Sequence, residues 1–325
     1  RDPETVTASL AREYARPVLK TGLRIERELG TNPFKFGMIG STDAHTGLAT
    51  ADSDNFYGKF LDSEPTINRL GNKMGGVMWA NRQLAASGYA AVWSRENNRD
   101  AIFDALKRRE VYATTGPRIA VRFFGGWDLQ EALVTDPDFA RKAYIAGVPM
   151  GGQLLKAVKE GQAATFLVNA SKDPNGANLD RVQIIKGWVD ENGVSREQVF
   201  DIAGRKDNGA GINPANCERV GQGMTQSCKV WRDPHFKVNE DSFYYVRVLE
   251  NPSCRWSTLQ CQAAGVNPFA ENCASQAEKA TALAQASGAT GDVYSKCCID
   301  PTSAAFYSPT LQERAWSSPI WYHSQ

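Results

Sequence analysis

Histidine is scarce in this chain: 325 residues hold only three. Cysteine is missing from the first two thirds, and all seven cysteines fall between Cys217 and Cys298. Neither charge dominates. Lysine plus arginine (37) against aspartate plus glutamate (36) leave a net charge of +1, so there is no electrostatic case for nucleic acid or an anionic membrane as partner. No apolar run approaches the ~20 residues of a membrane span. There is no Gly-x-Ser-x-Gly elbow and no Walker loop, and a Cys/His nucleophilic pair has no cysteine to use outside the late cluster. What is present is ordinary for a globular protein, 42% hydrophobic and 22% charged. The length suits two domains at ~100–200 residues each.

The seven cysteines, Cys217, Cys228, Cys254, Cys261, Cys273, Cys297 and Cys298, lack the paired Cys-x-x-Cys spacing of a zinc ribbon. Their clustering in a loop-rich region points to disulfides, and hence to a periplasmic or secreted protein; reduced structural thiols are the alternative. Seven is odd, so at least one thiol has no partner within the chain. The opening Arg1-Asp2-Pro3, with neither methionine nor signal peptide, is what a processed chain or a piece of a longer protein would show.

Two textures divide the chain. Asp2-Pro3-Glu4 reads as a helix start, Leu10, Tyr14 and Val18 recur at helical spacing, Pro17 should kink or split the helix, and Gly30 can close it. Residues 34–40 read as a buried strand, and 49–88 as an irregular insertion. A strand at 88–93, a helix capped by Asn97 or Asn98 with Ile102, Phe103 and Leu106 on one face, and a strand at 111–114 form the order of a parallel sheet or barrel. Past residue 117, short strands at 119–124, 165–170, 179–188, 198–202 and 243–249 alternate with turn residues, as in a β-sandwich. A helix at 276–286 and a terminal strand at 319–322 follow. The expected fold class is therefore α/β plus all-β. Residues 1–117 form the α/β part, and 118–325 a β-sandwich-like domain with a Cys-rich segment, whose last strand could pack back on the first part.

The chemistry concentrates in "GMIGSTDAHTG", where an apolar run ends in Asp43 and His45. Residues two apart on an extended chain project to one side, so a carboxylate and an imidazole could reach one metal. Mixed N/O ligation suits zinc, manganese or iron better than calcium or magnesium. In an α/β barrel, functional residues sit where strands end. A turn capped by Asp43, with His45 bonded to backbone, is the plainer alternative.

Three blocks, "GMIGSTDAHTG", "AIFDALKRREVYATTGPRI" and "ERAWSSPIWY", resemble the PHP (polymerase and histidinol phosphatase) superfamily, within it a large bacterial family of metallohydrolases related to carbaryl hydrolase. The resemblance implies the C-terminal portion of a distorted (β/α)7 barrel over residues 1–117, followed by the β-rich domain. It also implies a divalent transition metal, two or three ions in the complete protein. That carries over to Asp43 and His45 only, as metal ligands. In a metal-dependent hydrolase Thr42 and Thr46 would tune them, Tyr112 and Thr114, at the end of a second strand, could line the same pocket, and Arg118 could hold an anionic substrate group. The catalytic residues themselves stay unassigned. The first-half histidines of such a site are absent here, so the chain is expected to be a fragment that needs its N-terminal part as partner and is inactive alone.

The other candidates have plain alternatives. His235 and His323 stand in no ligand motif. Thr115 and Gly116, beside Thr114, fit a Gly-Pro turn as well as a pocket. Asp173, Asn175, Asn178 and Asp180 superficially resemble a calcium loop but lack its spacing and fit a β-turn. Trp127 and Trp188 could stack a sugar or simply pack between sheets. Two functions are expected to compete. One is a metal-dependent hydrolase acting on a small-molecule phosphoester, other ester or carbamate. The other is a non-catalytic binding or structural module of the bacterial envelope.

Overall fold

The computed structural model describes residues 13–48, 50, 52–70, 81–86, 88–155, 161–298 and 307–324. Helix α1 (Ala15–Leu29) ends where Gly30 takes φ 72° and its N–H bonds to the Glu26 carbonyl, a left-handed cap that glycine reaches without steric cost. Pro17 falls in the first turn, where no N–H is needed, so the helix starts beside it rather than kinking. The expected helix start at Asp2 lies outside the described residues.

Residues 34–40 do not form the expected strand. They run as an unpaired strap across a sheet, held by Met38 N donating to Ser318 Oγ at 2.9 Å and Gly88 N donating to the Ser41 carbonyl at 3.1 Å. Gly40 explains the placement: a Cβ there would lie 2.6 Å and 2.8 Å from the carbonyl oxygens of Tyr89 and Thr114. The described part of 49–88 holds only short turns, at Ser53–Asn55, Leu61–Ser63 and Asn81–Gln83.

Strand β1 (Tyr89–Val92), helix α2 (Arg99–Lys107) and strand β2 (Val111–Thr114) appear where expected, and the Asn98 side chain caps α2 by accepting from Ala101 N. Their arrangement differs from the expected one. β1 and β2 are antiparallel, Tyr89 opposite Thr114, and the ladder continues through Trp93 N to the Glu110 carbonyl. The helix is thus the tip of a long hairpin rather than a crossover. Its apolar face stays wet, with Phe103 61% and Leu106 44% exposed.

Next come β3 (Ala120–Gly126), α3 (Phe139–Ala146), β4 (Gly147–Pro149), β5 (Gln153–Leu154), β6 (Thr165–Ser171), β7 (Leu179–Val189) and β8 (Ser195–Gly204). The short hairpin β9 (Gly211–Ile212) and β10 (Arg219–Val220), then β11 (Gln226–Arg232), β12 (Ser242–Glu250) and β13 (Ser253–Cys254), lead to α4 (Trp256–Ala263) and α5 (Cys273–Ala286). The chain ends on β14 (Thr310–Leu311), β15 (Arg314–Ser317) and β16 (Ile320–Tyr322).

β12 is the axis of the larger sheet. β7 and then β8 lie on one side of it; on the other, β15 and β16 lie end to end, β15 leading to β2 and β1 and β16 to β5. The second sheet runs β11-β6-β3-β4. Alternation along the strands decides what faces what. Tyr244, Val246 and Val248 meet Phe123, Phe166 and Val168 of the second sheet in one buried core. Phe243 and Tyr245 point the other way, against Leu19 and Leu23 of α1 and half-buried Phe36 and Met38 of the strap. Among the described residues no barrel closes, because both sheets end on edge strands, β1, β5 and β8 in the larger and β4 and β11 in the smaller; the ladders are antiparallel apart from the two-residue pairing of β16 with β5.

Three disulfides form: Cys217–Cys254, Cys261–Cys297 and Cys273–Cys298. They organise a satellite core in which Phe56 and Leu70 of the insertion pack with Trp256, Val266 and Ala277. Cys228, on β11, is a free half-buried thiol and not a disulfide partner. Among the described residues no helix is long and apolar enough to cross a membrane.

Candidate functional site

The outer face of the larger sheet is only partly covered by α1 and the strap. Between them lies a cleft of about 1030 Å³, floored by Tyr245, Trp316 and Ala113, with Thr114 and Thr115 at one end. Its charged side chains are Arg16 and Lys20 from α1, Lys59 from the insertion, and Glu197 from β8. Phe36, Met38 and Ile39 of the strap supply an apolar wall.

The charges form a network. Arg16 Nε donates to the Tyr245 hydroxyl at 2.8 Å, while Arg16 and Lys20 both reach Glu197, at 3.2 Å and 2.7 Å. Burial alone would lower the Arg16 pKa; Tyr245 and Glu197 outweigh it and hold the guanidinium above its ordinary value. Burial works against Glu197 too, yet Lys20 and Arg16 keep its pKa low. Tyr245 is pushed up by burial against the opposing pull of Arg16. Beside the floor, Arg247 donates to the neutral amide of Gln183 at 2.7 Å, and burial with repulsion from Arg16, Arg314 and Arg181 lowers its pKa. Cations therefore outnumber carboxylates around an otherwise apolar cleft.

Asp43 and His45 lie just beyond Ser41, at the Lys59 side of this cleft. Asp43 takes a positive φ of 51°, its carboxylate is 65% exposed, and one oxygen stands 3.6 Å from Lys59 Nζ. His45 N donates to the Lys59 carbonyl at 2.7 Å, its Nδ1 lies 3.1 Å from the Asp43 carbonyl oxygen, and its ring stacks on Phe60 at 4.2 Å. Thr42 and Thr46 accept from Ala44 N and Leu48 N within the same loop. As a metal site the pair does not fit as it stands. One ring nitrogen is turned to its own loop, the carboxylate faces a lysine, and among the described residues no group of three His, Cys, Asp or Glu side chains is placed to hold an ion.

Thr114 and Thr115 reach the cleft, whereas Tyr112 does not. Strand alternation puts Ala113 on the cleft floor and Tyr112 in the sandwich core, where it stacks on Trp93 and burial raises its pKa; Thr114 shares the Tyr112 face and borders the cleft only because the strand ends there. Arg118 lies with its guanidinium 6.0 Å from the Tyr89 ring centroid, and its N–H donates to Asp173 Oδ2 at 2.6 Å. Asp173 Oδ1 accepts from Asn175 N, so the Asp173–Asp180 loop is an ordinary turn. His235 donates its N–H to Asp233, and His323 Nδ1 stands 3.0 Å from Asp241. Trp127 packs edge-on against Phe236 and Tyr322, and Trp188 lies 5.1 Å from the buried Lys186 ammonium. Sequence reasoning missed Arg16, Lys20, Lys59, Glu197, Tyr245 and Trp316, and no local signal marks them, since they come from five separate parts of the chain.

Comparison with known proteins gives few bearings. An "Uncharacterized protein" of Chlamydia muridarum (strain MoPn / Nigg) is 30% identical over 119 residues, 34% of this chain, and the match spans 16% of that curated relative's length. No solved structure matches the chain. The expected membership of the PHP superfamily does not hold. The matching model is that of another family, no solved PHP structure stands beside it, and the ladders form an antiparallel sandwich rather than part of a barrel. The model described as "Protein of unknown function (DUF3604)" matches residues 1–284, most of the chain, and the chain belongs to that family.

Proposed function

We propose that this chain is a binding module for a small amphipathic anion, an aryl or alkyl group carrying a carboxylate, phosphate or sulfonate. One observation carries the reading: a cleft of about 1030 Å³ with aromatic and aliphatic walls sets Arg16, Lys20 and Lys59 against the single lining carboxylate of Glu197. Apolar walls with a few convergent polar groups are what small-molecule sites share. Lys59 is the most loosely paired cation of the cleft, 3.6 Å from the solvent-exposed Asp43, whereas Arg16 and Lys20 stand 3.2 Å and 2.7 Å from Glu197. The three disulfides support a periplasmic or secreted setting for such a module.

Titration calorimetry with 1-naphthyl phosphate, 1-naphthylacetate and 1-naphthylmethylamine tests it. The two anions should bind and the amine should not, and Lys59→Ala should weaken the anions by roughly tenfold, the worth of one charge-assisted contact. Equal binding of anion and amine would sink the reading.

A second reading, hydrolysis of an anionic ester by a metal-activated water, is favoured by the position of Asp43 and His45 at the edge of the same cleft. It requires zinc, manganese or iron and at least one donor from outside the described residues. Metal analysis of protein purified without chelator decides it: less than one transition metal per chain would leave it without support.

A further inference from the structure

A second cleft, of about 500 Å³, has the opposite character. Asp52 and Asp54 stand exposed at its mouth, and Asp173, Glu250 and Glu313 are buried in its walls. Glu250, 1% exposed, uses Oε2 to accept from Ala177 N at 3.1 Å, while its buried Oε1 has no hydrogen-bond partner. That oxygen sits over Gly176, itself part of the lining, where a Cβ would come within 2.5 Å of it. A buried carboxylate oxygen without a donor is rare in native proteins and marks a place where a donor belongs.

The surrounding charges say which donor. Burial raises the Glu250 pKa to about 8; Glu313 and Asp173 add to the rise, and the Ala177 N–H and Arg219 oppose it. Burial likewise raises Glu313 to about 7 against the Thr115 hydroxyl, Arg255 and Arg314. The cleft is short of positive charge despite Arg219, whose guanidinium donates to the Asn175 carbonyl at its lip. A bare metal ion is a poor match, because among the described residues no three such donors converge on one point. Pro117, Leu259 and the Cys217–Cys254 disulfide give the walls an apolar part that suits methylene groups.

We propose that this cleft binds a small organic cation, an alkylammonium or alkylguanidinium whose head donates to Glu250 and Glu313 while its carbon chain lies along Leu259 and the disulfide. The site is separate from the anion cleft and does not depend on it. Calorimetry on the oxidised full chain with 1,5-diaminopentane and n-butylguanidine, with 1-pentanol and calcium as controls, tests the assignment. Both cations should bind and 1-pentanol should not. Binding at pH 7 should release protons, seen as a heat that depends on the buffer, and this release should shrink in Glu250→Gln. Glu250→Gln and Glu313→Gln should each weaken binding at least tenfold. Asp54→Asn, at an exposed position, should weaken it severalfold, whereas Lys59→Ala should leave it unchanged. Cations that bind no better than 1-pentanol, undiminished affinity in Glu250→Gln, or calcium that displaces both cations at micromolar concentration would each overturn the proposal.

Discussion

At the residue scale, the informative groups are those whose surroundings conflict with their charge. Glu250 and Glu313 have folded-state pKa values of about 8 and about 7, above the ordinary glutamate value of 4.5. Between pH 4.5 and 8 the folded chain therefore holds more protons on these groups than the unfolded chain does. Their stabilising contribution is complete below pH 4.5 and is lost as pH rises through 7 to 8. Thermal melts should show the melting temperature falling from pH 5 to pH 9, and Glu250→Gln should flatten that fall. A wild-type melting temperature that rises over this range would contradict the assignment. None of this is legible in "VLENP", because the glutamate becomes unusual only when Gly176 and Ala177 close over it.

At the scale of elements, the Cys-rich segment has little sheet of its own and depends on its cross-links. Cys261–Cys297 and Cys273–Cys298 join α4 and α5 to the turn at Ser295–Cys298, around a small core in which Phe56, Leu70, Trp256 and Val266 pack against Ala277 and Ala280. Replacing Cys261 and Cys297 together by serine should cost about 2–4 kcal/mol in denaturant unfolding, as removal of a native disulfide usually does. Cys228→Ser should cost far less, and thiol counting on the unfolded, unreduced chain should find one reactive thiol. That disulfides would form here, and that one thiol would stay unpaired, was legible in the clustering and odd count. Which cysteine is left over was not, because Cys228 is set apart by its place on β11 opposite Asn169 rather than by spacing.

At the scale of the whole molecule, the last strands close the structure. β15 and β16 lie between β12 and the β2 and β5 strands, so two distant parts of the chain share one sheet through residues 314–322. A chain ending at residue 306 should lose cooperative unfolding and near-ultraviolet circular dichroism altogether; a truncated chain that still melts cooperatively would show that the sheet can close without them. Half of the strands, the cap at Gly30, the disulfide chemistry of the cysteines and the near-neutral charge balance are legible in the sequence, because alternation, turn residues and composition are local properties. That residues 34–40 form a strap, that β1 and β2 pair antiparallel, and that Tyr112 faces the core depend on packing between distant segments. The same holds for both clefts: each is assembled from residues far apart in the chain, and the free energy that brings them together comes from burying the sheet faces, which no short window of sequence records. The apolar run before Asp43 has the pattern of a strand for that reason. Its two glycines suit close passage over another backbone as well as they suit a strand end, and the neighbouring carbonyls of Tyr89 and Thr114 settle which.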